Sequence, residues 1–159
     1  MTPSQGIIWL YKQRDWKRKG RIKNPLPMHE TKAENKERDV LDDLEGIPRY
    51  YKERSGKGVS VVLDVRKILV DGWQPDIEKS TLLWMLRNTA ILDGWVHTGC
   101  TDEEHSRGAY SKPRALLLNG KYRILDGHTR AALSFLLGRF MMEFKLINCD
   151  AILKSRRKK

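Results

Sequence analysis

Ile124-Leu125-Asp126-Gly127-His128-Thr129-Arg130-Ala131-Ala132, running on to Leu137-Gly138, is the stretch whose reading decides the fold. Its apolar start is a strand signal that stops at Asp126-Gly127. A helix is expected from about His128 to Leu137, closed by Gly138 in the left-handed conformation that only glycine adopts freely. A helix that begins where a strand ends presents unpaired amide donors and the positive end of its dipole, so it attracts phosphate. Gly127 lets a ligand approach the backbone. Thr129 offers a hydroxyl and Arg130 a planar, permanently charged fork. His128 is a candidate phosphate donor or proton shuttle, and Asp126 a candidate tautomer-holding or Mg²⁺-binding carboxylate. The bland alternative is ordinary helix capping with a solvated arginine.

Immediately upstream, Ala115–Leu118 and Tyr122–Leu125 flank Asn119-Gly120, a strong signal for a two-residue hairpin. Downstream, Phe140–Ile147 reads as a closing strand. Val59–Val65 is β-branched and reads as a strand, Asp71–Pro75 as a loop, and Asp76–Arg87 as an amphipathic helix. The expected fold is therefore α/β (α+β), with a small mixed sheet, a hairpin and packed helices over residues 59–150.

Residues 1–58 are expected to precede it as a basic, aromatic arm followed by a charged helical segment. Lys12, Arg14, Lys17, Arg18, Lys19, Arg21 and Lys23 stand against one acid, Asp15, with Trp9, Tyr11 and Trp16 interleaved. Such a stretch suits nucleic-acid backbones and bases, without sequence specificity; a solubilising arm is the alternative. Glu30–Glu45 reads as a solvated helix or mobile arm, and residues 151–159 as a basic, disordered tail.

The whole chain of 159 residues has a formal net charge of +11 and two cysteines, Cys100 and Cys149. The charge makes nucleic acid or phosphorylated ligands the first partners to consider. Two cysteines are no disulfide framework. With no long apolar run, a cytoplasmic protein without membrane association is expected. Zinc is not expected: His97, Cys100, Asp102 and His105 match no standard ligand spacing.

The box Asp126-Gly127-His128-Thr129-Arg130-Ala131-Ala132 with Leu137-Gly138 resembles the "DGHHRxxAxxxxG" box of the ParB/sulfiredoxin superfamily. Val61–Val65, the loop Trp73-Gln74-Pro75, the helix at Ile77–Arg87 and Lys112–Leu116 resemble the family's upstream elements, so the likeness spans about Val59–Ile147. It implies a nucleoside triphosphate (ATP or CTP) with Mg²⁺, its phosphates on Gly127, His128, Thr129 and Arg130. Trp73 and Gln74 then become candidate ligand contacts, and Asp126 the candidate magnesium residue. The implied activities are NTP hydrolysis or phosphate transfer, with nuclease activity also known in the family. Catalysis would fall to Asp126, His128 and Arg130, with Glu104 from the 97–111 loop as a further acid.

Sulfiredoxin chemistry is not expected, because the box holds no cysteine. A complete partition protein is not expected either, since about ten residues follow the last strand. A DNA-associated nucleotide-binding protein is the leading expectation, as a homodimer or monomer, in a setting such as a phage or mobile element. A non-catalytic nucleic-acid-binding protein and a small-molecule kinase resembling the free-serine kinases are the rivals.

Overall fold

The computed structural model describes residues 3–42, 59–88 and 113–157. In chain order the elements are α1 (Pro3–Lys12), β1 (Arg21–Lys23), α2 (Lys32–Asp42), β2 (Val59–Asp64), β3 (Asp76–Glu78), α3 (Lys79–Asn88), β4 (Arg114–Leu118), β5 (Lys121–Asp126), α4 (His128–Leu136), β6 (Met141–Asn148) and α5 (Cys149–Arg157). The protein is α/β, as expected. Four strands form a mixed sheet in the order β2-β6-β4-β5, in which only β4 and β6 run parallel. β1 and β3 form a separate antiparallel pair.

The β4–β5 hairpin turns on Asn119 and Gly120, with φ of 51° and 73°. Positive φ at both central residues matches the right-handed twist of the flanking strands. The Asp150 carboxylate accepts hydrogen bonds from both turn amides, at 2.7 and 2.9 Å, which ties the start of α5 to the hairpin tip.

Alternation along these strands builds two cores. Ala115, Ile124, Met142 and Phe144 face one side of the sheet and pack with Ala131 of α4. Leu116, Leu118, Leu125 and Ile147 face the other, covered by Cys149, Ile152 and Leu153 of α5. The back of α4 (Ala132, Leu133, Leu136) packs on Leu10 of α1, Ile22 of β1, Ile77 of β3 and Leu82, Met85 and Leu86 of α3. Helix α4 is thus wedged between the sheet and the N-terminal elements.

Several expectations are corrected here. The N-terminal segment is no free arm: Leu10 and Ile22 are buried and β1 is a paired strand. Asp76–Glu78 is strand, not the first turn of a helix, because it pairs with Arg21–Lys23. The stretch after Glu30 is a docked helix, started by a Thr31/Glu34 capping box. It is held by charge: Glu30 and Arg38 are buried, Arg38 lies 2.9 Å from Glu30, and Arg123 of β5 bonds both Glu30 and the Glu34 carbonyl. The expected disordered tail is helical to Arg157, because Ile152 and Leu153 have a sheet face to cover. Trp84 of α3 is 47% exposed.

Candidate functional site

Gly127 sits at φ 93° between β5 and α4. A side chain there would meet Pro113 at 2.6 Å and the Arg130 guanidinium at 3.3 Å, so glycine is required both by the backbone and by close approach. The guanidinium of Arg130 therefore lies over the turn that opens α4. Its NH2 group is 3.9 Å from Asp126, one helical turn back.

This turn forms one wall of a cleft of about 380 Å³. Asp126, Gly127, His128, Thr129 and Arg130 line that wall; Arg21, Gln74, Asp76, Ile77, Glu78, Thr81 and Met85 line the rest. Strand β1 brings Arg21 into the cleft, where its NH2 group bonds the Asp76 carboxylate and carbonyl, both at 3.0 Å. Arg18, on the turn before β1, reaches the same carboxylate at 3.1 Å. Burial opposes ionisation of Asp76, but the Arg21 and Arg18 hydrogen bonds outweigh it and hold its carboxyl below the usual range.

The structure thus brings together six of the expected site residues: Gln74, Asp126, Gly127, His128, Thr129 and Arg130. It adds Arg21, which composition had assigned to a nucleic-acid arm. Trp73 is not on the cleft wall. It is 64% exposed, and its indole N–H donates to Asp39. Glu104 and the 97–111 loop lie outside the described residues.

His128 does not fit the role of proton shuttle. Its imidazole is buried and its Nε2 accepts a 3.2 Å hydrogen bond from the Asp71 amide. Burial, reinforced by the nearby charges of Arg38 and His29, pushes its pKa down to about 3. A neutral imidazole already accepting a bond at Nε2 cannot exchange protons near pH 7 through that nitrogen. Its side chain fastens the turn, and the residue lines the cleft. Burial likewise pushes the Cys149 thiol up to about 11, aided by Asp150, so it is not a nucleophile.

Of the basic residues, Lys12, Arg14, Lys17, Arg18, Lys19 and Lys23 are exposed, and the Lys17 ammonium rides 4.3 Å above the Trp16 ring. Among the described residues no cluster of three or more His, Cys, Asp or Glu is arranged to hold a metal ion. Nor is any described helix long and apolar enough to cross a membrane. Searches of protein families, curated proteins and solved structures each found no match to this chain.

The missed cleft residues Asp76 and Glu78, and the placing of Arg21 beside them, share one cause. β1 and β3 are three residues each and pair across 55 positions of sequence, too short for a periodicity to register.

Proposed function

We propose that the protein binds a nucleotide through its phosphates in the α4–β1–β3 cleft, as a DNA-associated protein of the ParB/sulfiredoxin type. One observation carries this reading: the residues that open α4, among them Thr129 and Arg130, share a single cleft with Arg21, a second arginine contributed from far away in sequence. Amides at a helix start and two guanidinium forks are the donors that phosphate oxygens take. Each arginine is partly offset by a carboxylate, Arg130 by Asp126 and Arg21 by Asp76.

A nucleotide would bring Mg²⁺, which is bound by one or two carboxylates with substrate phosphates and water. Asp126, whose side chain is 31% exposed, is the cleft carboxylate suited to it. With the metal supplying charge neutralisation, Arg130 and the α4 amides would stabilise a transferred phosphoryl group during hydrolysis or transfer. His128 orients the turn and moves no proton. That absence favours the non-catalytic binding protein as second reading.

The test is calorimetric titration of ATP, CTP and GTP with Mg²⁺ against wild type and Arg130→Ala. Micromolar binding of one nucleotide, weakened roughly 10- to 100-fold by the loss of one charge-assisted pair, is the expected result. No binding by any of them to folded wild-type protein would overturn the reading.

A further inference from the structure

Beside the phosphate cleft lies a second hollow of about 370 Å³. Arg21 and Glu78 belong to the walls of both, so the two are neighbours. The second has mainly carbon walls, with Leu83, Gly20 and the stem of Lys79, whose ammonium is drawn off to the Gln13 carbonyl at 2.9 Å. Lys19 also lines it, in the tight turn from Trp16 to Arg21 that exposes Lys17 and Arg18 as well.

We infer that these three features form one track for the end of a single-stranded nucleic acid. The terminal phosphate takes the site at Gly127–Arg130, the terminal base enters the hollow beside Leu83, and the following phosphates lie along Lys19 and Lys17. This rests on the phosphate-binding reading of the cleft and names its substrate class.

Charge decides the order along the track. A terminal phosphate carries more charge and more free oxygens than a diester, which suits two arginines and a helix start. Glu78 at the junction repels a phosphate but accepts hydrogen bonds from the amino or imino groups of a base. The carbon-walled hollow suits the base faces, and cations return where the next phosphates fall. A base must leave its stack to enter such a hollow, which selects a single strand over a duplex.

The experiment measures binding of fluorescent oligodeoxythymidylates carrying a 5′-phosphate, a 3′-phosphate or neither, with thymidine monophosphate as the single-nucleotide probe. One terminally phosphorylated strand should bind about tenfold tighter than the unphosphorylated strand, and an abasic terminal nucleotide should lose about tenfold. Lys17→Glu with Lys19→Glu should weaken strand binding more than thymidine monophosphate binding and shrink its salt slope by about 0.7 per lost contact. Equal binding of phosphorylated and unphosphorylated strands, or indifference to the abasic end or to the Lys17/Lys19 change, would overturn the track. If Arg130→Ala still abolishes thymidine monophosphate binding in that case, the cleft reading stands and only the track fails. If neither probe responds to Arg130→Ala, with circular dichroism unchanged, both fail.

Discussion

The backbone amide of Asp71 donates a 3.2 Å hydrogen bond to Nε2 of His128, joining residues 57 apart in sequence. Through it the loop after β2 grips the first residue of α4. Arg38 of α2 lies 3.7 Å from the Asp71 carboxylate and 2.9 Å from Glu30, and Glu30 in turn receives Arg123 of β5. The turn that lines the cleft is thereby anchored to a buried charge network.

Replacing His128 with Leu should leave the Asp71 amide buried without an acceptor. The expected cost is about 1–3 kcal/mol in urea unfolding. Unchanged stability would show that the contact does not hold the turn.

Stability should also fall as pH drops below about 6.5. Folded His128 titrates at about 3 against an ordinary 6.5, so between those values the unfolded chain binds more protons. Its contribution is full above the ordinary value and is lost as pH falls towards the folded one. His29, lowered by burial, acts in the same direction. Glu30, raised by burial, acts oppositely: its contribution is full below its ordinary 4.5 and fades as pH rises through its folded pKa. Urea midpoints from pH 7 to pH 5 should decline in wild type and decline less in His128→Leu.

Arg123→Met should cost about 3–5 kcal/mol, because Glu30, with its side chain wholly buried, loses one of its two cationic partners. Adding Glu30→Gln should recover part of that loss. A strictly additive double variant would refute coupling through this pair.

Gly127→Ala places a Cβ 2.6 Å from that of Pro113, in a backbone conformation that disfavours any side chain. A loss of about 1–3 kcal/mol is expected in thermal unfolding. Nucleotide affinity should fall with it, because the added methyl crowds Arg130.

Asp76→Asn removes the carboxylate shared by Arg21 and Arg18. Both arginines keep access to water, at 31% and 69% exposure, but the Asp76 side chain is only 4% exposed, so a loss of about 1–3 kcal/mol is expected. Affinity for inorganic phosphate should rise several-fold, since a competing anion has left the cleft. A fall in affinity would mean that Asp76 positions Arg21 rather than competing for it.

The phosphate turn and the hairpin were legible because their physics is local. Asn119-Gly120 and Gly127 are required by backbone conformations that other residues resist, and Gly138 closes α4 at φ 73° for the same reason. Alternating apolar residues in β4, β5 and β6 fix which face each presents, whatever packs on it. Composition misled where tertiary partners intervene. Lys12–Lys23 reads as an arm because charge dominates it, yet Leu10 and Ile22 anchor its two ends in the core. Glu30 and Arg38 read as solvated, yet each supplies the other's counter-charge out of water.

The sequence by itself determined the strand–turn–helix at Asp126–Arg130, the hairpin before it and the mixed α/β character, since these follow from φ preferences and side-chain period. Only the tertiary structure decided that His128 is a buried, neutral acceptor and that Arg21 faces Arg130 across one cleft. Burial and pairing between distant segments set the charge state of a side chain and its neighbours, and neither is written in the local order of residues.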